Sequence, residues 1–293
     1  MSRRYTVLDV FTQTPLAGNP LAVVSDAEGL DSARMQAIAK EFNLSETVFI
    51  LSPDDPHRRA KLRIFTPGSE LPFAGHPTVG TAVLLSLMHG DEGAAAFGLE
   101  EQVGVVSCVT ERRGERSGYA RFRVPKLPAI VGRGLSAAAA ADALGLGVAD
   151  IGFGHHTPSK RAVGGPFDLV PLASLDALKR AWPTASFASH VTGDHPAVFL
   201  YAPSPGGLRA RMYGPGLGIV EDPATGSAVA CLAGALADHE GLADGPHDFV
   251  IDQGVEMGRA SRIELQIVME GGTLVAAEIG GAAVVVAEGV LHD

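Results

Sequence analysis

The chain has 293 residues, 46% of them hydrophobic and 19% charged, with 23 Lys and Arg against 33 Asp and Glu, for a formal net charge of −10. Such a composition buries a core in one large or two ordinary domains and excludes intrinsic disorder, and its negative balance gives no overall attraction to nucleic acid or anionic lipid. No apolar run approaches the roughly 20 residues of a membrane span, and the two distant cysteines, Cys108 and Cys231, form neither a CxxC pair nor a disulfide framework, so a cytoplasmic setting is expected.

Along the chain, Tyr5 to Asp9 alternates like a strand, and the stretch to Phe11 lacks the unbroken apolar core of a signal peptide. Asp31 to Phe42 has helical spacing, with Ala33, Ile38 and Phe42 among its apolar positions. After a strand at Val48 to Leu51, a turn at Pro53 to Pro56 and a strand ending near Phe65, the segment Thr78 to Leu85 is apolar or small all round. A helix without a polar stripe is a buried one, so a central helix is expected here, with Pro77 at its first position and Gly90 past its end. Ala120 to Val124 alternates again, and the prolines at 125 and 128 mark an expected boundary between residues 1–127 and 128–293, the last strands being able to return to the first lobe. Leu135 to Leu144 reads as an alanine-rich helix capped near Ser136, and Ala228 to Leu236 as a second all-apolar helix stopped by Gly241. Arg262 to Val268 reads as a strand, and Gly272 to Leu291 as two strands broken at Glu278 to Gly281.

These elements repeat. Val48-Phe49-Ile50-Leu51, Arg63-Ile64-Phe65-Thr66-Pro67-Gly68 and Gly75-His76-Pro77-Thr78 are answered by Val198-Phe199-Leu200-Tyr201, Arg211-Met212-Tyr213-Gly214-Pro215-Gly216 and Thr225-Gly226-Ser227, with Arg63 and Arg211 148 residues apart. One copy per half predicts an α+β fold of two similar lobes, each a curled mixed or antiparallel sheet around a central buried helix, and argues against a solenoid.

Two buried helices that each start after a similar loop would present free N–H groups and positive dipole ends to an anion, with backbone donors expected from Gly75 to Thr78 and from Thr225 to Ser227. His76 has the chemistry to exchange a proton near neutral pH, Asp222 precedes the second helix start, and Glu46 enters an apolar strand, where half-burial raises a carboxyl pKa. Singly, each has an ordinary reading as cap, turn residue or strand-entry carboxylate. Other motifs fail: Gly214-Pro215-Gly216-Leu217-Gly218 lacks GxGxxG spacing, no P-loop occurs, the histidines lack metal-ligand spacing, and Ser227 lacks the GxSxG elbow of a hydrolase.

The sequence resembles the PhzF phenazine-biosynthesis family, which shares the diaminopimelate epimerase-like fold. The resemblance rests on Asp9-Val10-Phe11 with Gly18-Asn19-Pro20, Asn43-Leu44-Ser45-Glu46-Thr47, Arg63-Ile64-Phe65-Thr66-Pro67 with Glu70, Gly75-His76-Pro77-Thr78, Glu221-Asp222-Pro223-Ala224-Thr225-Gly226-Ser227 and Gln253-Gly254-Val255-Glu256-Met257-Gly258-Arg259. It implies a homodimeric isomerase that needs no cofactor or metal and acts on a small carboxylate, trans-2,3-dihydro-3-hydroxyanthranilate in the namesake enzyme. By the same resemblance Glu46 is the acid/base, supported by His76, Asp222 and Ser227, with substrate contacts at Ser45, Gly75, Pro77, Thr78, Thr225 and Gly226. Epimerases of this fold use two thiols, at positions matched here to Ala74 and Pro223, so cysteine chemistry is not expected. The alternatives are a racemase or epimerase with one carboxyl base, and a small-carboxylate binding protein.

Overall fold

The alternating amino-terminal stretch is strand β1 (Ser2–Val10) in the computed structural model, which describes residues 2–292. It is followed by β2 (Asn19–Val24), α1 (Ser32–Phe42), β3 (Glu46–Leu51), β4 (Ala60–Phe65), β5 (Glu70–Leu71), α2 (Gly75–His89), β6 (Ala94–Glu101), β7 (Gly104–Arg112) and β8 (Ser117–Arg123). β1 pairs antiparallel with β2, β2 parallel with β3, β3 antiparallel with β4, β4 parallel with β6, and β6–β7–β8 form a meander. Every residue of α2 from Gly75 to Ser86 is buried, against β1, β2, β3, β7 and β8. Gly80 permits the close approach, because a Cβ there would lie 2.7 Å from Leu21 Cδ2 and from Val10 Cγ2. α1, capped by Asp31, turns Met35, Ile38 and Ala39 onto the other side of the sheet, against Phe49 and Phe65. The expected apolar face of α1 is corrected in one place, since Ala33 is exposed and Met35 takes its role.

The second unit, Lys126 to Glu278, contains β9 (Ala129–Ile130), α3 (Ala137–Leu144), β10 (Ser159–Ala162), β11 (Pro166–Pro171), α4 (Leu175–Arg180), α5 (Phe187–His190), β12 (Val198–Ser204), β13 (Gly207–Gly214), β14 (Ile219–Asp222), α6 (Gly226–His239), β15 (Gly245–Gln253) and β16 (Ser261–Glu270), and the start of β17 (Thr273–His292). Its pairings from β10 to β16 follow the sequence seen from β1 to β7: antiparallel, parallel, antiparallel, parallel, antiparallel. α6 is buried from Ala228 to Leu236 and packs on β10, β11 and β16, while α3, α4 and α5 cover Val198, Leu200, Ala202 and Tyr213 on the opposite side.

Register corrects the sequence match of the two hairpins. Arg63 faces Phe49, whereas Arg211 faces Leu200, so the counterpart of Phe49 is Leu200 and not Phe199. A one-residue slip reverses the faces of a strand, and packing agrees: Phe49 and Phe65 meet the outer helix of one unit, Leu200 and Tyr213 those of the other.

The carboxyl end holds another correction. Gly272 to Leu291 is not two strands: β17 is continuous, enters from the two-residue turn Gly271-Gly272 (φ 57° and 73°), and crosses at Ile279 into the first unit. There it pairs antiparallel with β1 and also pairs with β8, closing the first unit's strands into a ring around α2. Gly280 is no breaker; its missing side chain makes room for the Tyr119 ring. Irregularity falls instead between Val7 and Leu8, whose partners Ala287 and Val285 skip a residue, as in a β-bulge.

Candidate active site

In the first unit α1 ends at Asn43, left-handed at φ 51°, and the chain passes through half-buried Ser45 into Glu46, the first residue of β3. Parallel pairing sets Glu46 beside Leu21, two residues beyond Asn19 at the head of β2. His76 is the second residue of α2. Its Nε2 lies 3.3 Å from Glu46 Oε2, without the alignment of a hydrogen bond, and its Nδ1 lies 3.4 Å from the buried Asn19 Nδ2. With the amide nitrogen donating to Nδ1, the ring proton sits on Nε2 and faces the carboxylate. Burial holds the His76 pKa down to about 3, so the ring is neutral at working pH. Because this value lies below that of an unfolded histidine, the ring's contribution to stability is present above about pH 6.5 and is lost as pH falls toward about 3. We expect 15N NMR to find His76 as the neutral Nε2–H tautomer at about pH 5, where an ordinary imidazole is mostly protonated; an imidazolium signal there contradicts the assignment.

No side chain caps α2, whose N-cap residue is Ala74. The expected donors must be narrowed: Pro77 has no N–H and stands third in the helix rather than first, and Thr78 N bonds Ala74 O at 3.2 Å. The groups that the helix cannot satisfy are the N–H of Gly75 and of His76.

In the second unit β14 ends at the buried Asp222, and Pro223-Ala224 leads to Thr225, the N-cap residue of α6. Thr225 does not cap its helix: its hydroxyl donates to Asp222 Oδ2 at 2.6 Å. Gln253, at the end of β15 and wholly buried, donates to Asp222 O at 2.9 Å and Thr225 Oγ1 at 3.0 Å, and accepts from Thr225 N at 3.0 Å. Thr225 N is therefore occupied, a second correction, and the N–H groups of Gly226 and Ser227 remain. Ser227 is half-buried while its neighbours in the helix are buried. Gly254 fixes this corner: φ is +71°, and a Cβ would stand 2.5 Å from Arg259 O and 2.6 Å from Pro223 O. Gly254→Ala is expected to cost about 1–3 kcal/mol and to displace Pro223 beside Asp222; an unchanged denaturation midpoint contradicts that.

In each unit an arginine ties the strand before the loop to the strand after it. Arg63 makes a two-pronged pair with Glu70 at 2.7 and 2.6 Å, and Arg211 with Glu221 at 2.8 and 3.0 Å. The helix starts, Gly75 and Gly226, are 151 residues apart, which matches Ala74 to Thr225 rather than Pro223, and His76 to Ser227. The same interval matches Glu46 to Ala197, so the strand-entry carboxylate occurs in one unit alone. Neither helix start carries a thiol: Cys108 and Cys231 are buried, and burial pushes the Cys231 pKa up to about 12.

The structure thus brings Glu46 and His76 together in the first unit, and Asp222 and Thr225 in the second. Three participants had no role in the sequence reading: Asn19, Gln253 and Glu101, whose Oε1 lies 2.8 Å from Thr78 Oγ1. The available signal was positional, because Gln253 and Glu101 are buried polar residues at the end of the strand that follows each apolar helix. Among the described residues no group of three His, Cys, Asp or Glu side chains is arranged to hold a metal, and no helix is long and apolar enough to cross a membrane.

Residues 8–289 match the model of the PhzC-PhzF family, described as phenazine biosynthesis-like protein. An uncharacterized isomerase of Mesorhizobium japonicum is 45% identical, over 99% of each chain. The trans-2,3-dihydro-3-hydroxyanthranilate isomerase of Pseudomonas aeruginosa is 37% identical, over 98% of each. The crystal structure of the PhzF-family protein of Bacillus anthracis superposes with a TM-score of 0.88 at 25% identity, covering 100% of both chains. The Mesorhizobium and Pseudomonas relatives are named isomerases, and the protein is an enzyme of that class. On sequence and on fold alike, the chain belongs to the PhzC-PhzF family of phenazine biosynthesis-like proteins.

Proposed function

We propose that this isomerase moves a proton between two carbons of a small cyclic carboxylate of the trans-2,3-dihydro-3-hydroxyanthranilate type, with Glu46 as the acid/base. The observation that carries the reading is the Glu46 carboxylate 3.3 Å from a neutral His76 at the start of an uncapped buried helix. The carboxylate takes a proton from one ring carbon, the freed electron pair shifts the double bonds, and the same carboxyl returns the proton to another carbon. One proton leaves and one is returned, so neither oxidant nor cofactor is consumed. The negative charge that grows on the substrate is stabilised by the fixed N–H donors of Gly75 and His76, which need no reorganisation during the step. His76, with its Nε2–H facing the carboxylate at 3.3 Å, favours the carboxylate form of Glu46 electrostatically and, having no free lone pair on that side, does not compete for the proton. Asp222 and Ser227 are assigned to the substrate's polar groups, with Ser45, Pro77, Thr78, Thr225 and Gly226 shaping the surroundings.

Two features of this chain support a carboxyl mechanism over a thiol pair: the two helix-start positions hold Ala74 and Thr225, and the cysteines are buried elsewhere. The test is incubation of the purified protein with trans-2,3-dihydro-3-hydroxyanthranilate, followed by loss of the diene absorbance and by product mass. Disappearance of the diene with unchanged mass is the expected result. Deuterium exchange with no movement of the double bonds would select the racemase reading, and an untouched substrate would reject this substrate class.

A further inference from the structure

In each unit the strand after the buried helix ends beneath that helix's start. β13 pairs in parallel with β15 through Leu208 and Ile251, and β4 with β6 through Ala60 and Leu99, so Gln253 and Glu101, each two residues further on, occupy matching places. Gln253 is a neutral amide with both a donor and an acceptor in use. Glu101 has its Oε1 2.8 Å from Thr78 Oγ1, and the same hydroxyl is 2.8 Å from Ala74 O.

A hydroxyl has one hydrogen. If Glu101 is ionised, both neighbours of Thr78 Oγ1 are acceptors and one of the two contacts goes unbonded. If Glu101 is an acid, its O–H donates to Thr78 Oγ1, Thr78 donates to Ala74 O, and both contacts are made. The other carboxyl oxygen, Oε2, is buried without a hydrogen-bond partner, which a neutral carbonyl tolerates far better than a carboxylate. We propose that Glu101 is a positioning residue, a neutral acid that braces the Ala74-Gly75-His76 segment through Thr78 and, on ionising, releases it and lays a negative charge under the anion-binding helix start. This rests on the reading of Gly75 and His76 as part of the site.

Burial pushes the Glu101 pKa up to about 8, against a hydrogen bond donated by Thr78 to the ionised carboxylate, which lowers it. The other groups near it leave this balance alone. Cys108 on β7 is a buried thiol whose own pKa is raised. Lys61 and Arg63 on β4 line the same open depression as Glu101, but Lys61 is paired with Asp54 at 2.7 Å and Arg63 with Glu70, while Glu100 accepts from Asp54 N and Asp55 N. On α2 the nearest titratable group, His76, is neutral.

The test pairs a carboxyl 13C NMR titration of the wild type, assigned with Glu101→Gln, with pH profiles of kcat/KM for both proteins. We expect the Glu101 carboxyl to titrate near about pH 8. Glu101→Gln should retain the wild-type kcat/KM within about twofold near neutral pH, and the alkaline fall of the wild type should vanish or move up by about one pH unit or more. The denaturation midpoints should converge at about pH 4.5 and separate in favour of Glu101→Gln toward about pH 8, because a folded-state pKa above the unfolded value withdraws stability across that window. A carboxyl that titrates in the ordinary range, or an unchanged alkaline limb in Glu101→Gln, overturns the proposal. If no turnover is found at all, the proposed reaction fails, while the NMR titration still decides Glu101.

Discussion

Glu46→Gln should lower kcat by about 10³-fold or more while leaving ligand affinity within a few-fold and the unfolding midpoint unchanged. The amide keeps the volume and the hydrogen-bonding reach of the carboxylate, and a half-buried residue at the head of β3 is not part of the core. What disappears is the ability to take a proton. Glu46→Asp keeps that ability but draws the carboxyl back by one methylene from its place near His76 Nε2, so a loss of about 10²-fold is expected from misplacement alone. Steady-state kinetics beside calorimetric binding separate the two terms. A Glu46→Gln enzyme with kcat close to that of the wild type would remove Glu46 from the chemistry, and a collapse in affinity with kcat preserved would make it a binding group.

Arg211→Met is expected to cost about 3–5 kcal/mol of folding stability, the largest effect of any single change at the framework of the site. The side chains of Arg211 and Glu221 are only 5% and 8% exposed, so removal of the guanidinium strands a buried carboxylate. It also removes the donor shared by Leu178 O, Lys179 O and Ala181 O, where α4 ends. The matching Arg63 to Glu70 pair, 22% and 21% exposed, is better screened, and Arg63→Met should cost less. Denaturant titration checks both; an Arg211→Met midpoint equal to that of the wild type contradicts the account of the pair as a buried tie.

How far these features could be read in advance depended on whether the signal was local. The central helices were legible because Thr78 to Leu85 and Ala228 to Leu236 have no polar face, and a helix of that kind has to be enclosed. The continuity of β17 is hidden in the sequence because a Gly-Gly pair has the same appearance as a turn and as a place where a tyrosine ring passes close, and only the neighbouring strand distinguishes them. The sequence match of the hairpins is one residue out of register because both strands begin with Val-Phe, while register is set by the partner strand and the outer helices.

Within the site, Glu46 and His76 stood out through their motifs, but their approach depends on α2 packing against β3, which the intervening sequence does not announce. The neutrality of His76 was equally hidden, since it follows from complete burial and not from residue type. Asn19 and Gln253 stand in motif blocks that name no role for them, and Glu101 stands in none, because each is a polar residue at a strand end whose part is fixed only once the helix start above it is in place.

The most direct test of the central claim is proton NMR in D2O with trans-2,3-dihydro-3-hydroxyanthranilate, comparing deuterium entry into carbon for the wild type and Glu46→Gln. A single carboxyl that removes and returns the proton predicts deuterium in the product of the wild type and loss of that exchange, together with turnover, in Glu46→Gln. Exchange in Glu46→Gln at the wild-type rate would contradict it and assign the proton transfer to another group.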